Sequence, residues 1–128
     1  MKIKNNLFFY YRSFLVFLLI FIVSTIPAKE IQKVPFFLFP NFDKLVHLGM
    51  YFCFYFVLIF DIFKAKPGFS NVKIYFLAAL IALIYGGVLE IVQYTLTKTR
   101  SGDIFDFLFN AAGVLLAAIV WIIIRKPK

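Results

Sequence analysis

The sequence predicts an all-helical membrane protein, a bundle of four spanning helices with both termini on the cytoplasmic side. Three observations predict it. Of 128 residues, 63% are hydrophobic and 16% charged, with a mean hydropathy of +0.93, whereas soluble domains average roughly 45–50% apolar and about 25% charged residues. Four apolar runs reach the roughly 20 residues that a helix needs to cross about 30 Å of hydrocarbon. The lysines and arginines sit between and beside these runs, and are denser on every second side, the pattern that orients a membrane protein. A soluble domain of this length has too little interior to hide 19 Phe together with so many Ile and Leu.

The first run covers about Leu7 to Ile26, broken only by Arg12 near its start, and Pro27 ends it. Its basic beginning, Lys2 and Lys4, also suits a signal peptide. Ile26 and Pro27 before Ala28 fit a small-residue cleavage site poorly, so an uncleaved anchor is expected. The loop from Pro27 to Asp43 carries Phe36, Phe37 and Phe39 between Pro35 and Pro40, a segment too short to span. It is expected to lie at the outer interface. The second run covers about Leu45 to Phe63, and Pro67-Gly68 then turns the chain. The third covers about Val72 to Thr97, long enough to tilt, and the fourth about Ile104 to Ile124. One domain, 1–128, accommodates all four.

Nine basic residues fall on the side of the termini: Lys2, Lys4, Arg12, Lys64, Lys66, Lys73, Arg125, Lys126 and Lys128. Five fall on the other: Lys29, Lys33, Lys44, Lys98 and Arg100. The positive-inside rule places the termini in the cytoplasm. The net charge of +8 is thereby absorbed into membrane orientation. With no basic groove or RNA-binding motif, nucleic acid is excluded as a partner. Cys53 is the one cysteine, so no intrachain disulfide can form, and it reads as a small thiol on an apolar surface.

The informative residues are polar ones in or beside the spans: Asp43, His47, Glu90, Gln93, Arg100, Asp103, Asp106 and Asn110. Ionisable groups in spanning helices are costly and point to function by default. With the expected topology all eight converge near the outer face. Helical spacing of about 100° per residue sorts them onto faces. Asp103, Asp106 and Asn110 share one stripe, Gly86, Glu90, Gln93 and Thr97 another, and Asp43, His47 and Tyr51 a third. Burying the three stripes against one another keeps them from lipid.

Each residue also has a plainer reading. His47 and Asn110 can serve as interhelical hydrogen bonders, Glu90 can pair with Arg100, and Asp103 can cap the fourth helix. Asp106, one turn deeper, is the better site candidate. Gly113 and Ala117, four apart, form a small-residue seam for close helix packing. His47 with Glu90, Asp103 and Asp106 would make an oxygen-rich ligand set, but no metal motif accompanies them, so neither a metal nor a cofactor is expected. No Ser-His-Asp order, P-loop or dinucleotide fingerprint occurs.

Two blocks carry a family resemblance. Asp43-Lys44 followed by His47 and Tyr51 resembles the DK-x-x-H-x-x-x-Y block of VanZ-like membrane proteins. Glu90 and Gln93, then Arg100, Asp103, Asp106, Asn110 and Gly113, resemble that family's second polar block. The resemblance covers about residues 40–118. The sequence departs from the pattern at Ala117, where a second glycine is expected, a difference of packing tightness. The resemblance implies a multi-pass protein of the bacterial cytoplasmic membrane, and its first-described members are associated with teicoplanin resistance.

Two functions follow as expectations. In the first, the polar site binds an envelope lipid, a lipid-linked wall precursor or a lipoglycopeptide, with Phe36, Phe37, Phe39 and Phe42 holding an acyl chain. In the second, the protein is a membrane enzyme on such lipids. Glu90 or Asp106 is then the general base, His47 the acid or partner, and Arg100 the clamp for a phosphate or carboxylate. A structural or transport-accessory role is the third option. A small multidrug transporter is disfavoured, because its design puts a Glu in the first helix and none lies between Leu7 and Ile26.

Overall fold

Proline-free runs of Leu, Ile, Val and Phe leave the backbone one way to satisfy its hydrogen bonds away from water within a single segment, the α-helix. The structure, a computed structural model, describes residues 6–26, 30, 33–35, 39–96 and 104–125. After a short 3₁₀ turn, Asn6–Tyr10, come α1 (Tyr11–Thr25), α2 (Phe42–Ala65), α3 (Asn71–Leu96) and α4 (Ile104–Arg125). No strand occurs among the described residues. Four segments are long and apolar enough to span: Leu7–Thr25, Phe42–Ala65, Asn71–Thr95 and Ile104–Arg125.

The expected all-α, four-span architecture is therefore present, with one boundary moved. The second helix begins at Phe42, ahead of the apolar run, because Asp43 and Lys44 lower hydropathy without opposing helix geometry. Asn41 marks the true break, with φ at 61° in the left-handed region that Asn tolerates better than most residues. At the far end the Lys66 N–H closes α2 on the Ile62 carbonyl at 2.8 Å, and the Pro67-Gly68 turn follows.

Helix α2 is central and packs on all three others, most extensively on α4. Its inward face carries Tyr51, Phe54, Tyr55, Leu58, Ile59 and Ile62. Against it α3 sets Ile74, Ala78, Ala82 and Tyr85, and α4 sets Val114, Ala117 and Trp121. Outward-facing Leu15, Phe76, Leu115 and Ile123 form the apolar exterior. Lipid tails are as apolar as these side chains, so hydrophobicity alone does not drive the helices together; close packing and polar bonds must. Small residues supply the packing at Ala78, Ala82, Gly113 and Ala117, all buried.

Polar bonds pin α1 at three levels. The Ser13 N–H and Oγ–H both donate to Asp61 Oδ2, at 3.1 and 2.8 Å. Tyr85 Oη donates to the Phe17 carbonyl at 2.7 Å, and Gln93 Nε2 to the Ser24 carbonyl at 2.9 Å. The first of these places the start of α1 beside the end of α2. Trp121, packed between Phe56 and Phe63 of α2, brings the end of α4 to the same level. Basic side chains there lie over aromatic rings: Lys64 Nζ is 4.6 Å from the Phe60 ring centre and the Arg125 guanidinium 4.4 Å from that of Phe63. Such heads snorkel toward water while their stems cover apolar surface.

This end of the bundle also holds a buried carboxylate. Asp61 is fully buried and lies outside the three polar stripes of the opposite end.

Candidate functional site

The opposite end, where α2 and α4 begin and α3 finishes, collects the remaining buried polar groups. His47 enters from the second turn of α2, Glu90 from the last third of α3, and Asp106 and Asn110 from the first two turns of α4. His47 and Asn110 are buried, and the side chains of Glu90 and Asp106 are each 13% exposed. The imidazole sits at the centre. Its Nδ1 is 3.0 Å from Asn110 Oδ1, a hydrogen bond, and 3.9 Å from Glu90 Oε1. Its Nε2 is 4.0 Å from Asp106 Oδ2.

Asn110 Oδ1 can only accept, so His47 Nδ1 carries the proton of that bond, and in the neutral ring the lone pair lies on Nε2. The basic nitrogen then faces Asp106. Both carboxylates stand beyond direct hydrogen-bond reach of the ring, at separations that one further atom would bridge. One donor atom from each of His47, Glu90 and Asp106 lies within 4.8 Å of the others.

Two neighbours shape the site. Tyr51, one turn along α2 and 1% exposed, walls its inner side. Gly86, one turn before Glu90, lets α3 approach: a Cβ there would lie 3.1 Å from Tyr51 Cε1 and 3.2 Å from Asn110 Nδ2. Gly86→Ala is expected to dislodge Asn110 from His47. The cost in stability is about 1 kcal/mol, but the imidazole ¹⁵N shifts should change markedly. Gly87→Ala, whose Cβ meets Phe107 only at 3.7 Å, should leave those shifts in place.

The sequence-derived site residues divide into three groups. His47, Tyr51, Glu90, Asp106 and Asn110 come together. Gln93 is near in sequence but spends its amide on Ser24, fastening α3 to α1. Asp43 lies at the rim, 46% exposed and 3.8 Å from Lys44 Nζ. Arg100 and Asp103, with the expected Arg100–Glu90 pair and the Asp103 cap, lie outside the described residues, as do Phe36, Phe37 and Thr97.

One feature next to the cluster had no sequence signal. A cleft of about 360 Å³ with apolar walls opens between α1 and α2, lined by Leu19 and Val23 on one side and by Val46, Gly49, Met50 and Cys53 on the other. Its upper rim, Val46, directly precedes His47. Cys53, expected on an apolar surface, forms part of this wall. The lack of a side chain at Gly49 creates the space, since nothing lies within 4 Å of where its Cβ would be. The expected acyl-holding residue Phe39 is exposed, 65% accessible, and does not line this cleft.

The family described as VanZ/LLP1 matches residues 4–125 of the chain. No curated protein and no solved structure gives a significant match.

Proposed function

The chain belongs to the VanZ/LLP1 family of membrane proteins, and we propose that within it this protein binds an amphiphile, headgroup at the His47–Glu90–Asp106 cluster and hydrocarbon chain in the α1–α2 cleft. The observation that carries this reading is the adjacency of the two features. His47, from the buried polar cluster drawn from three helices, directly follows Val46, which lines the apolar cleft between α1 and α2. Convergent polar groups beside a mostly apolar cavity are the usual make-up of a small-molecule site.

The chemistry narrows the headgroup. Carboxylates and a neutral imidazole nitrogen accept hydrogen bonds, so a headgroup rich in donors suits them. Sugar hydroxyls and amines donate; the bare phosphate of a simple anionic phospholipid does not. A lipid-linked wall precursor or a lipoglycopeptide such as teicoplanin fits better than a plain envelope lipid. The charge distribution directs this end of the bundle outward, where such ligands occur in a bacterial cytoplasmic membrane. A role in glycopeptide resistance follows if the lipoglycopeptide is the ligand.

A second reading, a membrane enzyme on the same lipids, is favoured by one detail. An imidazole nitrogen facing a carboxylate 4.0 Å away can take a proton from a hydroxyl or water that bridges them, and give it back as the acid in a later step.

Native mass spectrometry tests the binding reading, using purified protein offered a lipid-linked disaccharide precursor, teicoplanin or phosphatidylglycerol. The first or second should be retained selectively. Gly49→Leu should fill the cleft without strain and abolish retention in a folded protein, and Glu90→Gln should weaken it about tenfold or more, one hydrogen bond to a charged group being worth roughly 1.5–3 kcal/mol. Equal retention of all three ligands, or of any of them by Gly49→Leu, sinks the reading. Turnover of the precursor that Glu90→Gln and His47→Ala both abolish would establish the enzyme instead.

A further inference from the structure

We infer that His47, Glu90 and Asp106 together form a binding site for one divalent cation of the zinc class. The inference rests on the cluster being a binding site, but it does not require the amphiphile.

Three side chains on three helices each aim a metal-ligating atom at one point, within 4.8 Å of one another. Ligand atoms around a tetrahedral Zn²⁺ stand roughly 3.3–3.5 Å apart, given metal–ligand bonds near 2.1 Å. Closing the 4.0 Å between His47 Nε2 and Asp106 Oδ2, and separations of at most 4.8 Å across the set, needs shifts of about 1 Å. Each lies within two turns of a helix end.

Asn110 is the second, independent observation. It is 1% exposed and its Nδ2 has no hydrogen-bond partner among the described residues, yet its Oδ1 is spent on His47 Nδ1 at 3.0 Å. That bond fixes the tautomer in which Nε2 offers its lone pair toward Asp106. Metal-bound histidines are held in this way, with the non-ligating nitrogen donating to a fixed acceptor that sets ring orientation. A buried amide whose oxygen orients one imidazole, while its own Nδ2 lacks a partner among the described residues, suits the outer shell of a metal-bound histidine.

The donor set chooses the ion. An imidazole nitrogen suits zinc and its neighbours, whereas an all-oxygen set would suit magnesium or calcium. Three protein ligands leave a fourth position for an outside oxygen, the arrangement of zinc sites that act on a ligand. Two carboxylates and one neutral imidazole give the bound Zn²⁺ a formally neutral environment in the low-dielectric bundle. Whatever else the two carboxylates pair with competes with the cation, and so sets its affinity. The sequence shows no metal motif because the ligands are 43 and 16 residues apart and belong to different helices.

The test uses full-length protein in detergent, purified without a polyhistidine tag, stripped with chelator and titrated with Zn²⁺, Mg²⁺ or Co²⁺. Wild type should bind one equivalent of Zn²⁺ and prefer it to Mg²⁺. It should melt at higher temperature with Zn²⁺, and with Co²⁺ give visible absorption of a nitrogen- and oxygen-ligated ion. His47→Ala and the near-isosteric Asp106→Asn should each weaken binding by about a hundredfold or more. Asn110→Ala should weaken it roughly 10–100-fold, as outer-shell changes do. Cys53→Ser should change nothing, which removes the lone thiol as a source. Folded wild type that takes up no Zn²⁺, or uptake unaltered in Asp106→Asn, overturns the inference. Amphiphile retention in the same chelated sample tells the two ideas apart: retention with no zinc site leaves the amphiphile reading standing alone, and a zinc site with no retention leaves the metal alone.

Discussion

Gly113→Ala is expected to unseat α4 from α2 and to lower stability by about 3 kcal/mol, the upper end of the overpacking range. An alanine Cβ at this position would collide with the Leu48 carbonyl oxygen and would lie 3.1 Å from both the Leu48 carbonyl carbon and the Phe52 nitrogen. All three are backbone atoms inside a helix. No side-chain rotation relieves the clash, so one helix axis must move. The α2–α4 pair is the most extensive contact in the bundle, and movement there propagates along its length. Asn110 is one turn from Gly113, and its bond to His47 spans the same two helices. The substitution should therefore weaken ligand retention as well as lower the melting temperature in detergent. Gly87→Ala provides the contrast, since its Cβ would make only ordinary contact and alanine is the better helix former. Equal melting of the two variants would show that the seam is not tight at Gly113.

That seam was legible in the sequence, as small residues four apart on an apolar run. So was the set of spans, because hydrocarbon imposes a length and a composition that few residues violate. The site was legible in part. His47, Glu90, Asp106 and Asn110 were marked by the cost of a polar group in a span, and helical spacing put each on a defined face. Spacing does not say which way a face turns. Gln93 shares the stripe of Glu90, yet lies about 60° around the helix from it, enough to aim it at the Ser24 carbonyl on α1. Asp43 shares the stripe of His47 but lies one turn nearer the helix end, where it reaches the rim and Lys44. The cleft was invisible for another reason. It arises from what Gly49 lacks and from the angle between α1 and α2, and neither leaves a mark on hydropathy.

Asp61 differs, because the rule that found Glu90 applied equally to it: an acidic residue inside an apolar run. Its role makes the second large prediction. The first N–H groups of a helix have no partner within the helix, and at the start of α1 a neighbouring helix supplies one. Asp61 Oδ2 takes both the N–H and the hydroxyl of Ser13, in surroundings where Ser13 is 5% and Asp61 0% exposed. Asp61→Ala should leave both Ser13 donors unsatisfied away from water, at about 1–3 kcal/mol for each such group. Asp61→Asn keeps an acceptor oxygen and should lose much less. In a double-mutant cycle, Ser13→Ala and Asp61→Ala should fall well short of additive, since each removes the same contact. Melting curves in detergent give the stabilities. The consequence for function travels through α1, whose Val16, one turn from Ser13, lines the cleft beside Leu19 and Val23. With Asp61 gone, α1 keeps the Tyr85–Phe17 and Gln93–Ser24 bonds higher up, while its first turns lose this tie to α2. Amphiphile retention should then drop in Asp61→Ala while the imidazole shifts of His47, at the other end of the bundle, stay as they are. Full additivity in the cycle, or a His47 signal that moves with Asp61, would mean that this carboxylate does something other than fasten α1.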